Sequence, residues 1–292
     1  MPVVAPVDVG YWTGTLTYTA PYGTIQIPFG SIDSNGIAWI LQKVEGWDSP
    51  DTAGQVIQRS GDHGGWLSAQ YYAPRIVTLT VMASAETQAL RDLARAIFQQ
   101  ACPVSDTATF VLGEPLPKTA DMRRSGRIAE TYMTLTDVQF NAVFVAPDPR
   151  KYDITPETAT AQAQSTVTGV AVPLAVPVVL PAQPPAGSLT AVNSGTFETR
   201  PMVTITGPIT DPGVTNVTYG QTVAFTGTTL ASGDVLSLDM DNRQVFLNGQ
   251  IRYITDHNSA WWVLQPGANA IQFTGNTAGG AQLTLNWFNA YI

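Results

Sequence analysis

Apolar and polar residues alternate along much of the chain, the period of strands with one face buried. Thr13 to Thr19 alternates around Leu16 and Tyr18, and Thr24 to Phe29 sets Ile25, Ile27 and Phe29 on one side. Asn35-Gly36 is a hairpin signal between Gly30-Ser31-Ile32 and the run Ile37 to Val44. A polar, glycine-rich loop follows, Ser60 to Gly65, and then the pair Tyr71-Tyr72. Arg75 to Val81, Thr107 to Leu112, Gly126 to Thr136 and Val138 to Val145 read as further strands, the last closed by Pro147 and Pro149.

One segment has a different period. Between Ser84 and Ala101, Leu90, Leu93, Ala94 and Ile97 fall at i, i+3, i+4 and i+7, one face of a helix. Ser84 is the expected N-cap, Glu86 suits the first turn, and Pro103 ends the segment. Strands, one helix and strands again predict an α+β domain over residues 1–153.

Residues 154–190 change character: Ala, Thr, Val and Pro dominate, and Glu157 is the one charged residue. Val170 to Leu180 is too apolar to be left in water, so an extended connector or edge strand is expected there. From 191 to 292 seven strands are expected: Thr199–Thr206, Gln221–Thr226, Val235–Met240, Gln244–Leu247, Ala260–Leu264, Asn269–Thr274 and Ala281–Trp287. Asn248-Gly249 carries a type I′ signal and Pro266-Gly267 marks another turn, spacing that predicts a β-sandwich.

Composition narrows the possibilities. In 292 residues, apolar side chains make up 44% and charged ones only 12%, enough for two cores and poor in ionic surface. A net charge of −8 argues against tracking nucleic acid, since the densest basic stretch, Arg123, Arg124 and Arg127, is short and flanked by Asp121 and Glu130. A lone cysteine, Cys102, excludes an internal disulfide framework and suits a reducing compartment. Met1 to Gly10 carries no secretion signal, and the most apolar stretch is too short and proline-broken to span a bilayer. A soluble protein without membrane insertion is expected.

Candidate chemistry is sparse. Ser60, Asp62 and His63 offer triad residue types, but near neighbours in sequence do not converge as a triad. Asp239, Asp241 and Asn242 lack the further ligands of a calcium loop, and Asp33 to Gly36 reads as a turn. The second histidine, His257, has too few soft donors nearby for zinc. No phosphate loop, dinucleotide fingerprint or Cys-x-x-Cys occurs, so no cofactor, metal or catalytic residue is assigned. Trp261-Trp262 is the most suggestive pair. Adjacent strand residues face opposite ways, so one could fill the core while the other, with Asp256, His257 and Asn258, meets a sugar or a protein partner.

Several stretches carry a resemblance. Val143 to Asp153 (VFVAPDPRKYD), Val170 to Leu180, Asn193-Ser-Gly-Thr196, Arg200 to Pro208, Ser232 to Asp239, Arg243 to Gly249 and Trp262 to Ile271 follow one another in order. In that order and spacing the second half of the chain resembles the distal tail (Dit) proteins of siphophages, including minor tail proteins of actinobacterial phages. The first half fits through Trp47 to Ile76 and the following helix. The resemblance implies a mainly β virion protein with one helix: an N-terminal α+β ring-forming domain and a C-terminal galectin-like β-sandwich. It implies a homohexameric ring at the tail tip, assembled in the host cytoplasm and joining the tail tube protein to a tail-associated hub protein. Fibres or receptor-binding proteins would attach outside, while the tape measure protein and DNA pass through the lumen. Two other readings remain: a host-glycan-binding module built on Trp261 or Trp262, and a cell-wall hydrolase, which lacks a visible acid/base pair.

Overall fold

The computed structural model describes residues 12–113, 116–163, 187–277 and 279–292. The expectations for Met1 to Gly10 and for Val170 to Leu180 lie outside the described residues. Among the described residues the protein is mainly β with one helix. It divides into two compact units, one running to Ile154 and taking in Ile292, the other Thr155–Tyr291.

The first unit contains β1 (Thr13–Ala20), β2 (Gly23–Phe29), β3 (Ser31–Ile32), β4 (Ala38–Glu45), β5 (Thr52–Ala53), β6 (Val56–Gln58), β7 (Gly65–Leu67), β8 (Tyr71–Tyr72) and β9 (Arg75–Ser84). Helix α1 (Gln88–Ala101) and strands β10 (Ala108–Gly113), β11 (Lys118–Tyr132), β12 (Asp137–Ala146) and β13 (Lys151–Asp153) complete it. The strands run in the order β2-β1-β10-β11-β12-β9-β4-β3. Every pairing along this path is antiparallel. The two ends of the path are one stretch of chain. At Gly30 it leaves its pairing with β1 and enters its pairing with β4, and the Gly30 amide donates to the Trp39 carbonyl at 2.8 Å. That bend needs φ +81°, and a Cβ at Gly30 would sit 3.0 Å from Thr13 Cγ2. The ends of the sheet thus meet over a short seam and make a partly closed barrel, with Trp12 bridging to Leu41 beside the seam.

Alternate residues of the barrel strands (Leu16, Ile27, Leu41, Leu79, Val81, Phe110 and Phe140 among them) are fully buried in one core. The helix covers this core. It starts three residues later than the sequence suggests: Ser84 is the last residue of β9, and Thr87 is the N-cap, its hydroxyl accepting from the Leu90 amide at 3.3 Å. Glu86 consequently lies ahead of the first turn. The buried stripe is also rotated, to Arg91, Ala94, Phe98 and Ala101. Leu90 and Ile97 flank it, and Leu93, expected inside, is exposed. Phe98 decides the rotation, because its ring stacks on Phe140 and Trp39.

The second unit contains β14 (Glu157–Gln162), β15 (Ser188–Asn193), β16 (Met202–Thr206), β17 (Ile209–Asn216), β18 (Gln221–Ala224), β19 (Thr229–Leu230), β20 (Val235–Asp239), β21 (Gln244–Leu247), β22 (Gln250–Arg252), β23 (Gly267–Asn276) and β24 (Gln282–Trp287). They form two sheets, β14-β24-β16-β20-β21-β22 and β15-β23-β17-β18, with β19 added to β17. Val203, Leu236 and Leu283 from one sheet and Val214, Ile271 and Phe273 from the other share a single core, the arrangement of a β-sandwich. Strand β14 takes up part of the stretch expected as connector, and this unit begins at Thr155 rather than 191. At Asn248-Gly249 both residues have positive φ, 52° and 78°, as a type I′ turn requires.

Candidate functional site

Between β4 and β9 the chain forms a two-stranded ribbon. Its ladder begins where Ala73 N donates to Asp51 O at 2.8 Å and continues through the pairs Thr52–Tyr72 and Ala53–Tyr71. A step at Gln55 and Ser68 follows, then Val56–Leu67, Ile57–Trp66 and Gln58–Gly65, ending where Arg59 N meets Gly64 O. At ~3.3 Å per residue each arm is roughly 25 Å long. Every residue from Asp51 to Tyr72 except Gly65 is exposed.

This exposure is unusual for the residues involved. Trp66 is 63% exposed, Leu67 79% and Val56 62%. Adjacent cross-strand pairs face opposite sides of a ribbon, so Val56 and Leu67 make one face apolar while Ile57 and Trp66 make the other so. A lone two-stranded ribbon is marginally stable in water, and contiguous exposed apolar surface marks contact sites. Within the ribbon, Arg59 lies over the Trp66 ring at 4.4 Å, a cation–π contact that shields the outer end.

The loop Ser60 to Gly65 is the tip of this ribbon. His63 N donates to the Asp62 carboxylate at 2.7 Å, and Ser60, Asp62 and His63 are all exposed. Periodicity missed the ribbon because its short ladders are broken by Gly54-Gln55 and Ser68-Ala69, and because neither face is polar.

The base of the ribbon is anchored by the stretch Asp148 to Asp153. Arg75, fully buried, donates from Nε and Nη2 to the Pro149 carbonyl at 3.0 and 2.7 Å, and from Nη1 to the carbonyls of Gly46 and Trp47 at 3.3 and 2.6 Å. Burial pulls its pKa below the ordinary 12.5, against the attraction of Asp148 and Asp48. The Asp148 carboxylate accepts from the Arg150 amide at 3.1 Å, from its guanidinium at 3.2 Å and from the Tyr152 hydroxyl at 2.5 Å. Lys151 lies over the Trp47 ring and Lys118 pairs with Asp153. The PDPRKYD run is thus a set of interlocked contacts that holds both roots of the ribbon.

In the sandwich unit, Trp262 is 1% exposed and belongs to the core, while Trp261 is half-buried against it. Ala260 to Leu264 is an irregular segment with one bridge, Leu264 to Thr199, rather than a strand. Buried asparagines hold it. Asn193 Nδ2 donates to the carbonyls of Phe197 and Leu264 at 2.7 and 3.1 Å, and Asn269 donates to Gln265 and Gly267 at 2.8 and 3.0 Å. Gly195 lets the Ala290 backbone approach, since a Cβ there would sit 2.0 Å from its oxygen. Asp256 accepts from the Thr226 amide and hydroxyl at 2.9 and 2.6 Å, whereas His257 and Asn258 are exposed. The structure therefore presents His257 and part of Trp261 to solvent but not Trp262. Asp239 accepts from Asp241 N, Asn242 N and Asn242 Nδ2, a turn at the β20–β21 connection, and Asp241 pairs with Arg200. Among the described residues no group of three or more His, Cys, Asp and Glu is placed to hold a metal ion.

Residues 194–291 match the family described as siphovirus-type tail component, C-terminal domain. Over those residues the chain carries a siphovirus-type tail component domain. Its fold is similar to that of the crystal structure of SPP1 Dit, described as a paradigm of the hub adsorption apparatus in phages infecting Gram-positive bacteria. That likeness has a TM-score of 0.63 at 14% identity and covers 87% of this chain and 94% of SPP1 Dit. A chain of the phage P2 baseplate in its activated conformation with Ca is similar at TM-score 0.54 and 10% identity, over 94% of this chain and 97% of its own. Comparison with curated proteins gave no match. Of the motif series, Val143 to Asp153 includes the anchored ribbon base in the first unit, and Asn193 to Thr196 and Trp262 to Ile271 include the asparagine-pinned segment in the second.

Proposed function

We propose that this protein is a ring subunit at the distal end of a siphophage tail, six copies closing around the passage for the tape measure protein and DNA. In this reading the ring joins the tail tube protein to the hub or baseplate, and the sandwich unit, galectin-like in type, is a platform for fibres or receptor-binding proteins. The subunit assembles in the host cytoplasm and has no catalytic role.

The observation that carries this reading is the two-faced apolar ribbon on a Dit-like barrel. The ribbon projects beyond that barrel and carries exposed apolar side chains, so the contact between copies is assigned to it. A ribbon on one copy meeting a different surface on the next is a heterologous contact, the kind that closes rings. Trp66, Leu67, Val56 and Ile57 are the residues assigned to it.

Electron microscopy of the purified protein, alone and added to isolated tail tubes, tests the proposal. Six-fold rings that vanish in a Trp66→Ser, Leu67→Ser variant of unchanged thermal stability are the expected result. A wild-type protein that stays monomeric by light scattering at every concentration and never caps a tube would overturn it. The glycan-binding reading calls for saturable sugar binding that is lost on Trp261→Ala; the ring reading expects none.

A further inference from the structure

We draw no further inference here: the strongest candidate, the second apolar face of the ribbon between β4 and β9, belongs to the site already described, and nothing in the structure shows what covers it.

Discussion

The ring of Phe98, on the helix, lies parallel to that of Phe140, on β12, with centroids 4.4 Å apart and planes 10° from coplanar. Trp39 flanks both rings at 6.2 and 6.4 Å, so one aromatic stack ties the helix to two barrel strands. Phe98→Ala opens a cavity in a fully buried site and is expected to destabilise the first unit by ~3–5 kcal/mol. Chemical denaturation followed by tryptophan fluorescence checks this. Leu93→Ala, on the exposed side of the same helix, should cost less than ~1 kcal/mol.

Arg75 is the second test of the packing. Arg75→Met keeps much of the volume but removes the donors that serve the carbonyls of Gly46, Trp47 and Pro149. A loss of at least ~2 kcal/mol is expected, because buried acceptors left without donors keep their desolvation cost. Lys43→Met, which removes an exposed pair with Glu45, should change stability by under ~1 kcal/mol. Equal effects for the two variants in urea would count against the anchoring role of Arg75.

Asp33 sets a pH dependence. Its partial burial works to raise the carboxyl pKa, but hydrogen bonds from the Trp39 indole and from the Ile37 and Asn35 amides outweigh this and hold it below 3.8. A depressed folded-state pKa contributes stability that is fully present above the unfolded value and lost as pH falls through the folded one. The melting temperature should therefore fall less between about pH 4 and pH 2 in Asp33→Asn than in the wild type. Parallel acid melting curves would refute this.

Cys102 is expected to be chemically silent. Burial pushes its thiol up to about 12, despite the opposing charge of Arg124, so thiolate is scarce at neutral pH. A chromogenic disulfide reagent should label it only on unfolding, at the rate of global opening. Fast labelling in native buffer is the adverse outcome.

The ribbon predicts a protease pattern. Arg59 stands exposed at the last ladder position before the tip, where a tryptic cut meets no packed structure. Free subunits should be nicked first at Arg59, and subunits seated on a tail tube should resist at that bond. Mass spectrometry of the first fragments decides it, and equal cleavage in both states would remove the ribbon from the interface.

The sequence was most readable where a single force dominates. Alternation located β1, β2, β9 and β12 to within one to three residues, because each buries one face in one core. The helix was found but turned, since Phe98 outbids Leu93 for the stack in a way that spacing alone does not reveal. Strand β17 escaped because Asp211, with φ 52°, and Pro212 interrupt it, and the register shifts between Thr210 and Gly213. A proline in an inner strand ordinarily argues against a strand, and here a bulge absorbs it. Ala260 to Leu264 erred the other way: its apolar residues enter the core from an irregular backbone that Asn193 and Asn216 hold by side-chain hydrogen bonds. The proposed assembly surface was the least visible element. A buried strand and an exposed apolar ribbon have the same composition, and only the fold shows that Trp66 and Leu67 are largely open to solvent.

The bend at Gly30 has a consequence for the crowded cell in which such a subunit is made. Unpaired strand edges recruit one another without regard to identity, and a protein synthesised in many copies would then grow into sheets of indefinite size. Past Gly30 the chain crosses to β4, where Ser31 and Ile32 cover the strand edge at Trp39 and Ala38 and withdraw that part of it from such chemistry. In the proposed ring, association rests instead on a side-chain contact, which is specific to its partner surface.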